Sequence, residues 1–194
     1  MSKISMPVSN DFCPQTLFVY GTYKEDGTPD FGLFCWFSYI WDNELGVMVC
    51  IGGEKLTKQR IHAGGVFSAN LVTEAMLPLA DYFGNRDGNS SEKMDIPLEV
   101  EKGRVLNVPV LGCSPVVFEL EVKQFLPLDG GEVMLCRIKN VLAEEGLTDR
   151  EKSMEQKLRE LAPVSTTCRT YFTWDGKAAG AWGEPQDKIE GNRK

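Results

Sequence analysis

The sequence contains a single histidine, His62, and this scarcity excludes several classes of enzyme. A Ser-His-Asp triad would have to use His62, and a metal site with several histidine ligands is impossible. The six cysteines form no Cys-x-x-Cys pair, which argues against a zinc ribbon and a thioredoxin-type redox pair. Because no acid or nucleophile accompanies His62 in the sequence, we interpret it as a surface or half-buried structural residue.

Long apolar runs and an excess of basic residues are also missing. No apolar run reaches the roughly 18 residues of a membrane-spanning helix, and no basic-then-apolar leader opens the chain. Lys and Arg total 21 against 28 Asp and Glu, so the net charge is −7 and the basic face of a general nucleic-acid binder is lacking. The sequence therefore predicts a cytoplasmic protein with reduced thiols that binds neither membranes nor nucleic acid.

The composition is that of an ordinary globular protein, with 42% hydrophobic and 25% charged residues in 194. This length predicts one domain, with an N-terminal arm over 1–15 and a polar tail over 184–194. β-Branched and aromatic segments predict seven or eight strands, and the βαβ rhythm of a parallel sheet is absent. We therefore expect a mainly β protein, an antiparallel barrel with a few short helices packed outside.

The predicted elements divide into strands and three short helices. The strands are expected over 16–23, 31–41, 45–51, 66–72, 116–126, 132–143, 169–174 and 178–182, and the helices over 56–63, 74–83 and 149–161.

One segment, 52–60, has the chemistry of an anion site and lies between a predicted strand and a predicted helix. Gly52 and Gly53 allow the backbone to approach a ligand, and Lys55 supplies a positive charge in an acidic chain. Thr57 lies at the helix start, where free N–H groups and the helix dipole favour an anion. The segment predicts either a phosphate site or simply a solvated, capped helix start.

Four further features allow two interpretations each. The aromatic run 33–39 forms either an apolar wall for a flat aromatic ligand or part of the barrel core. Cys35 and Cys50 are either inert thiols or redox-active. Asn70, in an apolar strand, binds either the backbone or the edge of a heterocyclic ligand. The polar stretch 85–95 is either a surface loop or a lid.

The order and spacing of these segments resemble the flavin reductase family, whose fold is the FMN-binding split barrel and which also contains flavoredoxin. The matching motifs lie within 15–182. They are an Asp26-Gly27 turn followed by an aromatic strand, a strand ending in Gly52 followed by Lys55-Leu56-Thr57, and Gly65-Val66-Phe67-Ser68-Ala69-Asn70-Leu71.

The resemblance implies an FMN site in which Lys55 and Thr57 hold the phosphate and Asn70-Leu71 closes the site. Tyr171 could come from the partner chain of a homodimer. Two departures from the family pattern are that Cys35 and Cys50 stand where Ser or Thr is common, and that Asp30 replaces the usual Asn. The cofactor-binding residues implied are Cys35, Trp36, Phe37, Cys50, Ile51, Gly52, Lys55, Leu56, Thr57, Asn70, Leu71 and Tyr171.

The function implied by the resemblance is a flavin reductase-like oxidoreductase that transfers electrons from NAD(P)H to flavin. No catalytic side chain and no metal are assigned, because FMN performs the redox chemistry in such proteins. The alternative is a non-catalytic, flavoredoxin-like FMN-binding electron carrier that is reduced by a protein partner. A third possibility is a barrel without FMN that binds another ligand.

Overall fold

A curled, seven-stranded antiparallel sheet lies at the centre of the computed structural model, which describes residues 2–191. The strands are β1 (Gln15–Thr16), β2 (Phe18–Tyr23), β3 (Pro29–Phe34), β4 (Phe37–Trp41), β5 (Leu45–Gly52), β6 (Val66–Leu71), β7 (Val100–Lys102), β8 (Pro109–Leu111), β9 (Val116–Leu128), β10 (Gly131–Ala143), β11 (Ser165–Thr167), β12 (Thr170–Phe172) and β13 (Ala178–Ala181). The helices are α1 (Leu56–Gly64), α2 (Leu77–Gly84), α3 (Glu145–Thr148), α4 (Met154–Leu161) and α5 (Asp187–Gly191).

The central sheet has the strand order β3-β2-β6-β9-β10-β5-β4. Its two edge strands, β3 and β4, are consecutive in the chain and are joined only by Cys35 and Trp36. Two residues span about 7 Å at full extension, so the sheet must curl until its edges approach each other. The expected mainly β fold with an antiparallel split barrel is thus confirmed.

The prediction of one continuous strand over 31–41 is wrong in a way that matters for the site. The strand breaks at Cys35 and Trp36, where the N–H of Phe37 donates to the carbonyl of Cys35 at 3.0 Å. The carbonyl of Trp36 instead accepts from the N–H of Cys50 in β5 at 3.0 Å. The break therefore moves the chain from one edge of the barrel to the other.

Two clusters of buried apolar side chains hold the fold together. Phe18, Val49 and Phe67 belong to the cluster inside the barrel, while Val19 and Phe83 belong to a second cluster between β2, β3 and α2. Side chains alternate between the two faces of a strand, so β2 contributes to both clusters. Helix α2 consequently packs against the outside of the barrel beside β3.

Several smaller elements differ from the sequence predictions. Strands β7, β8 and β11 were not expected, and β11, β12 and β13 form a second sheet with β1. The helix expected over 149–161 begins at Met154, after a capping box at Ser153. The polar tail carries α5, and its last residues, 192–194, lie outside the described residues. No helix between residues 2 and 191 is long and apolar enough to span a membrane.

Candidate functional site

An apolar cavity of about 290 Å³ lies beside the break between β3 and β4. Its lining residues come from the break, the end of β5, the start of α1, the end of α2 and the second sheet. They are Leu17, Leu33, Phe34, Cys35, Trp36, Cys50, Ile51, Gly52, Lys55, Gly84, Asn85, Thr166, Tyr171 and Trp182. The cavity thus offers an aromatic and aliphatic wall with a cation at one end.

A second, polar cavity of about 340 Å³ adjoins the first. Leu33, Lys55 and Gly84 line both cavities, so the two are adjacent, and we refer to them together as the cleft, with an apolar half and a polar half. The other lining residues of the polar half are Tyr20, Gly32, Glu54, Leu56, Thr57, Gln59, Phe83, Arg86, Asp87, Gly88, Asn89 and Lys93. Small-molecule sites commonly occupy about 300–1,000 Å³, a range that this cleft fits.

The start of α1 faces the polar cavity. Gly53 has φ = 63°, a left-handed conformation suited to glycine, and it turns the chain from β5 towards the helix. Lys55 occupies the N-cap position without a side-chain capping bond. The N–H groups of the first helical turn therefore remain available to a ligand, which makes the helix start an anion-binding element.

Lys55 is also the basic residue of this segment that is left unpaired. Lys58 pairs with Glu54 at 2.9 Å, and Arg60 pairs with Glu25 at 2.6 Å. Among residues 2–191, Lys55 has no such carboxylate partner. Its ammonium group is therefore free to bind an anion at the junction of the two cavities.

The wall of the polar cavity holds a buried group that the sequence analysis missed, Lys93. Its side chain is 2% exposed, and its Nζ lies 3.0 Å from Oδ1 of the fully buried Asp30. Burial lowers the pKa of Lys93, and the negative charge of Asp30 opposes that shift. Nothing in the local sequence signals this pair, because Lys93 comes from the polar stretch 85–95 and Asp30 from β3.

The stretch 85–95 is held against the barrel as a wall of the polar cavity. The hydroxyl of Tyr82 donates to the carbonyl of Lys93 at 3.1 Å, and the guanidinium of Arg86 lies 5.2 Å from the centre of the Tyr82 ring. A Cβ on Gly88 would come within 2.7 Å of the Cβ of Leu56, so this close approach to α1 requires glycine. This stretch therefore shapes the cavity.

The hydroxyl of Tyr20 is an unpartnered polar group in the same wall. Tyr20 is fully buried, and its hydroxyl has no hydrogen bond of acceptable geometry among the described residues. Burial raises the pKa of Tyr20 to about 12, and the neighbouring hydroxyl of Thr57 offsets part of that rise. Tyr20 is thus a buried polar group in the wall of the cavity, beside Thr57.

Tyr171 lines the apolar cavity of its own chain. Its hydroxyl donates to Oδ1 of Asp81 in α2 at 2.7 Å. Asp81 is fully buried and also accepts from the backbone N–H of Gly183 at 2.9 Å and of Gln186 at 3.1 Å. Burial, assisted by Asp81, raises the pKa of Tyr171. This network fixes the second sheet and the chain end against α2.

Three of the residues expected at the site do not line either cavity. Phe37 stacks on Phe18 inside the barrel at 4.3 Å between ring centres, and Leu71 is buried in the same cluster. The amide of Asn70 donates to the carbonyl of Val19 at 2.9 Å and accepts from the N–H of Leu111 at 2.9 Å. Its hydrogen bonds are thus satisfied inside the protein, and the structure favours the backbone interpretation.

Cys35 and Cys50 line the apolar cavity as partly buried thiols. Burial raises the pKa of each thiol, so both are protonated at neutral pH and poor nucleophiles. His62 lies away from both cavities, with Nε2 at 2.6 Å from Oε2 of Glu132 and its ring stacked on Phe125. The inert interpretation of these thiols and the structural interpretation of His62 are favoured.

Comparison with known families gives one match that covers most of the chain. The model of the family described as flavin reductase like domain matches residues 10–160. A search of the curated proteins finds no match. Tyr171 and Trp182 lie beyond the matched residues, although both line the apolar cavity.

Three solved structures illustrate the similarity in fold. Flavoredoxin of Desulfovibrio vulgaris (Miyazaki F) has 21% identity, with 94% of this chain and 99% of that chain covered at a TM-score of 0.79. The FMN-binding protein from Thermus thermophilus with bound 1-cyclohex-2-enone has 19% identity, with coverage of 89% and 93% and a TM-score of 0.70. The styrene monooxygenase flavin reductase from Pseudomonas putida S12 has 16% identity, with coverage of 82% and 90% and a TM-score of 0.64.

Proposed function

Because this chain belongs to the flavin reductase like domain family, we propose that it is a flavin-binding oxidoreductase that holds FMN along the cleft. The proposal rests on one observation, that an apolar cavity and a polar cavity are adjacent and share Leu33, Lys55 and Gly84 as lining residues. FMN has the same division, since its flat tricyclic ring is joined through a ribityl chain to a phosphate. The ring would occupy the apolar half and the phosphate the polar half.

The residues of the cleft fit this cofactor by their chemistry. Lys55 and Lys93 supply cations, the start of α1 supplies N–H groups, and the hydroxyl of Tyr20 lacks a partner. Charge-assisted hydrogen bonds to phosphate oxygens are the strong ones, and an orphaned buried hydroxyl gains most from a ligand. Trp36 and Tyr171 supply aromatic surface to the ring, and Trp182 adds to it at the other wall.

When bound, FMN supplies the electron-transfer chemistry, and the protein binds, orients and tunes it. The buried wall formed by Leu17, Ile51 and Tyr171 excludes water from one side of the cavity. Cys35 and Cys50 remain protonated and add no negative charge beside the ring. Since Tyr171 and Trp182 complete the cavity, we propose that the whole chain, beyond the family match, forms one flavin-binding unit.

We propose NAD(P)H as the electron donor, with a non-catalytic carrier as the second candidate. The similar solved structures support either candidate, since one is named a flavin reductase and another a flavoredoxin. The deciding experiment is steady-state consumption of NADH and NADPH by the purified protein with free FMN as acceptor. Turnover that is proportional to protein concentration supports the reductase. Rapid re-oxidation of the chemically reduced protein, without consumption of either nicotinamide, would favour the carrier instead.

Trp36 provides a direct probe of the ring position. Its side chain is 52% exposed at the edge of the apolar cavity, so a bound isoalloxazine ring beside it would quench its fluorescence. We expect FMN to quench the tryptophan emission of the wild-type protein and Trp36→Phe to remove a measurable part of that quenching. Trp41→Phe is the matched control, because Trp41 is 78% exposed and lines neither cavity. Equal quenching in Trp36→Phe and wild type would place the flavin elsewhere.

We further propose that two copies of the chain associate through the outer face of β5, β9 and β10. Val47 and Val49 face the barrel interior, so Met48 and Cys50 face outward. Met48 pairs in register with Leu135 of β10, and Cys50 pairs with Val133. Val133 in turn pairs with Leu126 of β9. This apolar patch continues into the apolar cavity at Cys50, so a second copy would cover both.

Light scattering at micromolar concentration tests the dimer, for which we expect the mass of two chains. Met48→Glu places a charge in the patch and is expected to give the mass of one chain, because burying an unpaired carboxylate is costly. Val105→Glu is the control, since Val105 is exposed on a loop away from the patch. A wild-type monomer that still binds FMN tightly would contradict the shared interface.

A further inference from the structure

The carboxylate of Asp30 is buried behind the polar cavity, beside Lys93, which lines it. Asp30 is fully buried, and one of its oxygens lies 3.0 Å from Nζ of Lys93. No donor other than Lys93 reaches either oxygen among the described residues. Asp30 and Lys93 therefore form a buried ion pair in which the carboxylate has no second donor.

The position of Asp30 places it next to the phosphate half of the cleft. A Cβ on Gly88, which lines that cavity, would lie 3.2 Å from Oδ2 of Asp30. Tyr20 also lines the cavity, and the charge of Asp30 helps to raise its pKa. If Lys93 binds the phosphate, its ammonium group would therefore contact the phosphate and Asp30 at the same time.

The charges around Asp30 come from several elements. Lys93 and Asp87 belong to the stretch 85–95, Lys55 precedes α1, and Lys24 follows β2. The positive charges of Lys24 and Lys55 contribute to lowering the pKa of Lys93. The charge of Lys93 in turn contributes to lowering the pKa of Asp87. Asp87 is exposed at the rim and hydrogen-bonded to Asn89, whereas Asp30 is buried, so the charge of Asp30 is much less screened by water.

From this arrangement we propose that Asp30 is a specificity-determining residue that lowers the affinity of the cleft for the phosphate of the flavin. The inference rests on the proposed function, since it concerns the phosphate half of the same site. Asp30 neutralises Lys93 and repels the phosphate, while it leaves the binding of the uncharged ring unaffected. The consequence is a flavin that exchanges with solvent and so can be taken up and released in the manner of a substrate.

The test is the substitution Asp30→Asn, with FMN and riboflavin titrated separately into each protein and followed by flavin fluorescence. Removal of one buried charge from beside a phosphate is expected to tighten FMN binding roughly tenfold to hundredfold. Riboflavin, which has no phosphate, should change less than about threefold. The dissociation rate of FMN, measured by stopped flow, should fall in proportion, because affinity differences within one site are mostly differences in dissociation.

Asp26→Asn is the matched control, because it removes the same charge from an exposed turn that lines neither cavity. We expect it to change FMN affinity less than about threefold. Asp30→Ser is measured beside Asp30→Asn as a second uncharged variant, so that a folding defect in one does not decide the result. Each variant leaves Lys93 buried without its partner, which destabilises the fold. Thermal unfolding is therefore measured without flavin, so that a folding defect is detected separately from a change in binding.

The outcomes separate the inference from the proposed function. If neither the wild type nor the uncharged variants bind FMN more tightly than riboflavin, the phosphate assignment itself fails. If the wild type prefers FMN and the uncharged variants keep the same preference, only the role of Asp30 is overturned. Weaker FMN binding in both variants would also overturn it and would show that Asp30 holds Lys93 in place for the phosphate.

Discussion

The double substitution Lys55→Ala with Thr57→Val is expected to weaken FMN binding by about 2–4 kcal/mol and to leave riboflavin binding nearly unchanged. Lys55 has no carboxylate partner, and Thr57 is 3% exposed where it lines the polar cavity. Each group would give the phosphate a hydrogen bond, and charge-assisted bonds contribute about 1.5–3 kcal/mol. Partial exposure reduces the contribution of Lys55, and coupled contacts do not simply add.

Calorimetric titration of both ligands into both proteins measures this effect. Arg60→Ala is the matched control, because Arg60 lies on the same helix, pairs with Glu25 and lines neither cavity. If Lys55 and Thr57 merely stabilised the helix start, the double variant would lose about 1 kcal/mol of unfolding free energy and keep its ratio of FMN to riboflavin affinity. The absence of a side-chain capping bond at Lys55 argues against that outcome.

Asp81→Ala is expected to lower the free energy of unfolding by about 3–5 kcal/mol. The substitution leaves the hydroxyl of Tyr171 and the N–H groups of Gly183 and Gln186 without their acceptor. Each buried donor that loses its partner costs about 1–3 kcal/mol, less where water can reach it. Because Tyr171 and Trp182 line the apolar cavity, the affinity for FMN should fall together with the stability.

Urea denaturation followed by circular dichroism measures the loss. Tyr171→Phe removes only one of the four groups that donate to Asp81, which also include the side-chain amide of Asn85, so its expected cost is about 1.5–3 kcal/mol. Asp187→Ala removes an exposed carboxylate from the same chain end and should change stability by less than about 0.5 kcal/mol. A wild-type stability in Asp81→Ala would mean that these hydrogen bonds do not hold the second sheet in place.

The parts of the site that the sequence predicts are those encoded by a local pattern. Gly52 at the end of β5 and Gly53 after it, followed by Lys55 and Thr57 at the start of a helix, indicate an anion-binding segment by themselves. In the structure Lys55 lines both cavities, while Gly52 lines the apolar one and Thr57 the polar one. Helix α1 also spans nearly the predicted residues, because Gly65 with φ = 71° ends it as expected.

The parts that the sequence does not predict depend on contacts between distant segments. The run 31–41 contains only one markedly polar residue, Ser38, so its break at Cys35 and Trp36 has no local signal. The turn between β11 and β12 uses Cys168 and Arg169 with φ of 49° and 58°, where Asn-Gly would be the recognisable signal. The sequence around Lys93 is typical of a surface lysine, and only the fold shows that this residue contacts Asp30.

Equilibrium dialysis of the purified protein against FMN tests the central claim most directly. The account predicts saturable binding of one FMN per chain, with the bound flavin quenching the emission of Trp36. It also predicts a preference for FMN over riboflavin that Lys55→Ala with Thr57→Val abolishes. A protein that retains no FMN at any concentration up to the millimolar range would contradict the proposal that the cleft is a flavin site.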